Sequence, residues 1–212
     1  MGKREAEIKT GVRAVFLDRD GVINENVYYE RWDETEGPLC PEDVSIAEGA
    51  FEGMRRLAGA GFLLFIVSNQ GAFAKGKVAL SSVIKTARRV ESLIRRENID
   101  VTEAYYSYGH PRGVVEFFSG ESLERKPNPY FLKIAEASYD IDMPSSWMIG
   151  DRDTDVECGR LAGCKTVRIV PNSETGGGTA PDLEARNLAD AASMIVETLG
   201  LRPKPRKGTE SP

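Results

Sequence analysis

Two carboxylates, Asp18 and Asp20, stand two positions apart at the end of a short apolar run and are followed by Gly21. A carboxylate at a strand end can attack phosphorus and form an acyl phosphate. A second carboxylate two residues on can protonate the departing alcohol and then activate water. Glycine after them lets the chain turn sharply and aim backbone amides at phosphate oxygens. An acidic turn after a strand explains the same residues more simply, and the pair alone does not decide between the two. Gly150-Asp151-Arg152-x-x-Asp155 adds a carboxylate that could join Asp18 around Mg²⁺, a hard cation that takes oxygen ligands. Asp155, four residues on and on the same helix face, could hold a metal-bound water. An acidic first turn favouring the helix dipole is the alternative. Lys126 could balance the carboxylates and bind a phosphoryl group, or be a solvated lysine. Ser68 could hold the same group, or cap a turn. Taken together the groups weigh more, because carboxylates cluster only where a metal or cation compensates them. Nucleophile, acid/base, metal carboxylate, lysine and hydroxyl then form a complete phosphoryl-transfer site.

The elements that must position these groups follow from the spacing of apolar residues. Short strands are expected at 12–17, 62–67, 104–108, 146–149 and 165–170. Helices are expected at 49–59, 80–96, from Asn128-Pro129 onward, 153–162 and 188–199, the third opened by a good N-cap and a proline at its first position. Residues 24–44 and 109–124 read as irregular loops, and Gly176-Gly177-Gly178 as part of a flexible one. Strands alternating with helices predict an α/β, Rossmann-like parallel sheet with helices on both faces. Residues 12–200 are expected to form one domain without a large cap, after a polar N-terminal arm at 1–11 and before a disordered Pro- and Lys-rich tail at 201–212. Ligands of such sheets bind beyond the carboxyl ends of the strands. Asp18/Asp20, Ser68/Asn69 and Asp151 end three separate strands, so the polar groups converge on one rim.

Composition narrows the chemistry further. The chain of 212 residues is 41% hydrophobic and 29% charged, with a net charge of -5, values of a globular protein and a poor match to nucleic-acid or anionic-membrane surfaces. No apolar run is long enough to span a bilayer. Three cysteines in no ligand spacing imply neither a disulfide framework nor a metal knuckle, which fits a cytoplasmic setting. A single histidine, His110, rules out a multi-histidine metal site.

Asp18-Arg19-Asp20-Gly21-Val22-Ile23-Asn24, Ser68-Asn69-Gln70, Arg125-Lys126-Pro127 and Gly150-Asp151-Arg152-x-x-Asp155 resemble, in order, the four motifs of the haloacid dehalogenase superfamily. The spelling is most similar to the branch of D-glycero-D-manno-heptose 1,7-bisphosphate phosphatases and histidinol-phosphate phosphatases. The resemblance implies that Asp18 is the nucleophile and a Mg²⁺ ligand. Asp20 would be the acid/base and offer its backbone carbonyl to the metal, and Asp151 would bind the metal too. Ser68 and Lys126 would hold the phosphoryl group, and Arg125, Asn69, Arg19 and Gly21 would contact substrate. The implied protein is a monomeric cytoplasmic hydrolase of carbohydrate metabolism acting on a small phosphorylated metabolite, without nucleic-acid or membrane partners.

One departure stands out. The branch usually holds a structural zinc before the Arg-Lys-Pro, whereas the matching positions here are Ser107, Gly109, Ser122 and Glu124. No zinc is therefore expected, and the segment should be held by packing of Phe117 and Phe118, with His110 a structural or substrate-edge residue. The 26–40 loop, longer than is typical of the branch, and the 109–124 loop are expected to wall the site with Tyr28, Tyr29, Trp32, His110, Arg112 and Arg125. Rival motifs fail on single residues. The P-loop-like Gly71 to Lys77 is followed by Val78 where Ser or Thr is required. The EF-hand-like Asp151-x-Asp153-x-Asp155 has Val156 and Ala162 at its glycine and glutamate positions. A receiver-like phospho-aspartate module would not need Asp20, and a DNA 3′-phosphatase would not suit the acidic balance.

Overall fold

The computed structural model describes residues 11–170 and 178–200. The expected arm and tail lie essentially outside these residues, as do two of the three glycines at 176–178. Six parallel strands form the main sheet: β1 (Ala14–Leu17), β4 (Leu63–Asn69), β5 (Glu103–Ser107), β6 (Trp147–Gly150), β7 (Lys165–Ile169) and β8 (Leu183–Ala185). Their spatial order is β5-β4-β1-β6-β7-β8. The chain thus runs outward from β1 in one direction, returns, and continues in the other from β6. That reversal leaves a crevice beyond the carboxyl ends of β1 and β6, where ligands of doubly wound sheets bind.

Alternation along each strand serves both faces. Val15, Leu17, Leu64, Ile66, Ile149 and Val167 pack against Met54 and Leu57 of α1 (Ala50–Gly59), Val90 and Ile94 of α2 (Leu80–Arg96), and Leu188 and Ile195 of α5 (Leu188–Thr198). Ala14, Phe16, Phe65, Val67 and Met148 pack against Leu132 and Ala135 of α3 (Tyr130–Tyr139) and Cys158 and Ala162 of α4 (Asp153–Ala162). Both helical layers expected from the sequence are present. Between β1 and α1 lies an antiparallel hairpin, β2 (Val27–Tyr29) and β3 (Glu34–Glu36), in a region read from sequence as loop.

Candidate active site

Register brings the polar groups together. Leu17 is level with Ile66 on one side and Ile149 on the other, so Asp18 emerges between Val67-Ser68 and Gly150-Asp151. The Asp18 backbone N–H donates to Ile149 O at 2.9 Å, tying this end of β1 to β6. Gly21 then turns the chain at φ +80°, and a side chain there would overlap the Asp151 carboxylate. Gly150 is constrained alike, since its Cβ would overlap Asp155. Glycine at both places lets carboxylates of separate elements approach one another.

Lys126 lies at the bottom of the site, 2% exposed. Its Nζ is 3.0 Å from Asp18 Oδ1 and 2.6 Å from Asp155 Oδ1, and donates to Val67 O at 2.6 Å. Burial alone would lower its pKa, but the carboxylates of Asp155 and Asp18 outweigh it and hold the ammonium protonated. Asn69 fixes the backbone beneath: its Oδ1 accepts from Lys126 N and its Nδ2 donates to Lys126 O, both at 3.0 Å. Burial pushes the Asp18 carboxyl up to about 7 against the pull of Lys126, with Asp155, Asp151 and Asp20 adding to the rise. Burial, then Asp155, pushes Asp151 up to about 6.

Asp18, Asp151 and Asp155 each offer a carboxylate oxygen, all within 4.8 Å of one another. Asp151 Oδ2 accepts from Asn26 Nδ2 at 3.2 Å, while its buried Oδ1 has no hydrogen-bond partner among the described residues and lies 3.8 Å from Arg152 Nε. An all-oxygen set with an unsatisfied carboxylate oxygen fits a hard divalent cation. Asp20 points elsewhere. Its carboxylate accepts from Arg19 Nε at 2.9 Å, Arg19 Nη2 at 3.1 Å, Asn24 Nδ2 at 3.0 Å and Gln70 Nε2 at 2.6 Å. Gly37 closes over it, where any side chain would overlap the carboxylate.

These groups floor a cleft of about 550 Å³. One wall is β3 and the turn after it, from Glu34 to Gly37; the other carries His110, Arg112 and Arg125. Lys75 lies between them, paired with Glu36. Arg125 Nη1 donates to Gly109 O at 3.0 Å, which fixes its guanidinium at the rim. Burial, then Arg125, Lys75 and Arg112, push His110 down to about 4, so the imidazole is neutral at pH 7.

A family model described as "HAD-hyrolase-like" matches residues 123–200. A D-glycero-D-manno-heptose-1,7-bisphosphate 7-phosphatase of Thermosynechococcus vestitus is 32% identical over 89% of this chain and 98% of its own. A D-glycero-beta-D-manno-heptose-1,7-bisphosphate 7-phosphatase of Escherichia coli K12 is 31% identical over 95% and 97%. The chain belongs to the haloacid dehalogenase-like phosphatases. Among solved structures, a candidate HAD-like phosphatase of Mesorhizobium loti aligns at a TM-score of 0.73, 27% identity, over 92% of this chain and 90% of that one. A D,D-heptose 1,7-bisphosphate phosphatase of B. bronchiseptica, complexed with magnesium and phosphate, aligns at 0.70 and 19% identity over 88% and 99%, a likeness of fold.

In this phosphatase Asp18, Asp20, Ser68, Asn69, Arg125 and Lys126 all line one cleft, and Asp151 adjoins Asp18. Two expected substrate contacts are placed differently. Arg19 is fully buried, its side chain spent on Asp20 and on Gln70 Oε1 at 2.8 Å, and it does not line the cleft. Gly21 makes room for Asp151 rather than lining the cleft. The aromatic wall is also corrected. Tyr28 and Tyr29 hydrogen-bond Asp33 and Asp43, and Trp32 lies under the Lys77 ammonium at 5.2 Å, so the three anchor the hairpin. Of the two phenylalanines expected to hold the 109–124 loop, only Phe118 packs, edge-on to Phe73 at 5.0 Å, while Phe117 is 93% exposed. Sequence reasoning left Gln70 and Asn24 without a role although both sit inside the quoted motifs. Their amides, next to a carboxylate motif, were the available signal.

Proposed function

We propose that this phosphatase is a Mg²⁺-dependent phosphomonoesterase that turns over through a phospho-aspartate at Asp18, with D-glycero-D-manno-heptose 1,7-bisphosphate as substrate. The observation that carries the chemistry is the buried Lys126 ammonium held between Asp18 and Asp155 at the floor of an open cleft. The substrate reading rests on the relatives' names and on a rim carrying Arg112, Arg125 and Arg152, which suits a second anionic group.

Lys126 and the Ser68 hydroxyl grip the phosphoryl oxygens, and Arg125 grips the substrate beyond them. An Asp18 oxygen attacks phosphorus as the phosphorus–oxygen bond to the sugar breaks, and Asp20 gives its proton to the departing oxygen. Asp20, now a carboxylate, takes a proton from the water that attacks the phospho-aspartate, and inorganic phosphate leaves. Asp18, Asp151 and the Asp20 backbone carbonyl would hold Mg²⁺, with Asp155 behind them. When bound, the ion neutralises charge on the transferring group. Residues 12–200 form the catalytic domain, which we read as that of a monomeric cytoplasmic enzyme without nucleic-acid or membrane partners.

The test is hydrolysis of a panel of phosphorylated metabolites containing the heptose bisphosphate and histidinol phosphate, with Asp18→Asn as control. The heptose bisphosphate should give the highest kcat/KM. The variant should fold normally and lose on the order of 10⁴ or more in rate. Near-normal turnover by Asp18→Asn would sink the covalent mechanism, and indifference to the heptose would sink the substrate.

A further inference from the structure

Gln70 is 7% exposed and every polar atom of its side chain is engaged. Its Oε1 accepts from Arg19 Nη2 at 2.8 Å. Its Nε2 carries two hydrogens and has two acceptors in reach, Asp20 Oδ2 at 2.6 Å and Ser68 Oγ at 2.9 Å. The amide therefore bridges the group read here as acid/base and the hydroxyl read here as phosphoryl-holding. Arg19, buried behind both, fixes which way the amide faces: an oxygen must point at the guanidinium, so the NH₂ must point at Asp20 and Ser68.

Two consequences follow for the reaction. An Oγ that accepts a hydrogen bond from Gln70 turns its own proton away from that amide, toward the cleft that Ser68 lines, where a phosphoryl oxygen can accept it. The Asp20 carboxylate meets four donor contacts from Arg19, Asn24 and Gln70, which hold its plane in one orientation. The four contacts are shared two to each oxygen, so both are engaged. Each of these donors has a second acceptor in place, Arg19 at Gln70 Oε1, Asn24 at Glu25 O and Gln70 at Ser68 Oγ, and that of Gln70 is the hydroxyl read here as phosphoryl-holding. We infer that Gln70, oriented by Arg19, is a positioning residue that couples occupation of the phosphoryl site at Ser68 to proton transfer by Asp20.

The inference rests on the phosphatase reading above, and its test separates the two. Gln70→Leu removes both donors at similar size. Gln70→Glu keeps the shape but sets a carboxylate against Asp20. Each is assayed for kcat/KM on a sugar phosphate, whose alkoxide must be protonated to leave, and on p-nitrophenyl phosphate, whose phenolate leaves unaided. Wild-type turnover of both is the control. Folding of the variants is verified by thermal melt and by inhibition with inorganic phosphate. Both variants should lose about tenfold or more on the sugar phosphate beyond whatever they lose on the aryl ester. In an Asp20→Asn background, where the acid is already gone, the Gln70 changes should add no further discrimination between the esters. Equal losses on both esters, in either variant that folds, would overturn the inference and leave Gln70 a packing residue. A wild type inactive on both would overturn the phosphatase reading and the inference with it. If neither variant folds, the Asn24→Ala and Arg19→Lys changes, which loosen the same clamp, must show the excess loss on the sugar phosphate for the inference to stand.

Discussion

Lys126→Met is the perturbation that separates charge from packing most cleanly. Methionine fills much of the lysine volume but leaves Asp18 and Asp155 facing one another without the ammonium that sits 3.0 and 2.6 Å from them. Removing one partner of a buried ion pair costs about 3–5 kcal/mol, because the remaining charge is left uncompensated. For a domain of this size each kcal/mol is worth roughly 2–4 °C in Tm, so the metal-free variant should melt roughly 6–20 °C below wild type at about pH 8. The deficit must shrink on acidification. Asp18 has a folded pKa raised from 3.8 to about 7, so its titration adds stability below 3.8 that is lost as pH rises through about 7. At about pH 5 Asp18 is protonated in both proteins, and its attraction to Lys126 is absent from both. Thermal melts in EDTA across that range should show the deficit falling by roughly half. A deficit independent of pH, or one below about 1 kcal/mol, would mean that Lys126 acts through packing and refute the electrostatic account.

Four further outcomes can be checked. Activity should vanish in EDTA and return with Mg²⁺. The Tm gained with Mg²⁺ should be larger above pH 7 than below pH 6, because Asp18 (about 7) and Asp151 (about 6) must lose their protons to bind it; a gain independent of pH would contradict those sites. Elemental analysis should find no stoichiometric zinc, since Ser107, Gly109, Ser122 and Glu124 offer neither thiolate nor imidazole, and one zinc per chain would refute this. Arg125→Ala should lower kcat/KM by about 1.5–3 kcal/mol on a bisphosphate, the scale of a charged hydrogen bond, and much less on p-nitrophenyl phosphate. Equal losses would reassign Arg125 to the transferred phosphoryl group.

The candidate rim was legible because three strands are apolar runs that lead into Asp18, Ser68 and Asp151. Leu17-Asp18 and Gly150-Asp151 mark strand ends in the sequence as in the sheet, whereas β4 runs two residues past its expected end at Val67 and carries Ser68 and Asn69 within it. The hairpin was not legible. Glu34-Thr35-Glu36 is polar at every position and lacks the alternation that signals a strand. It is held from outside, by Lys77 Nζ at 2.6 Å from Glu34 and 2.7 Å from Glu36 and by Lys75 on Glu36. A cross-chain pairing of this kind has no local signature. The segment from Gly71 to Lys77, weighed as a phosphate loop, is the other half of that latch. Strand β8 was missed for its brevity, and the full burial of Arg19 against Asp20 and Gln70 has no signal in an arginine beside a phosphate motif.

Charge balance links the fold to the proposed cation. Around Asp18 the carboxylates of Asp151 and Asp155 meet the buried ammonium of Lys126 and, at the edge, the Arg152 guanidinium 3.8 Å from Asp151, so negative charge is in excess when all three are ionised. Burial resists that state, which is why Asp18 and Asp151 sit far above the usual carboxylate range. A divalent cation would meet that excess. The glycines at 21 and 150 let the carboxylates close in from two directions. A cation bound there would relieve the crowding of these carboxylates and would displace a proton from each raised group.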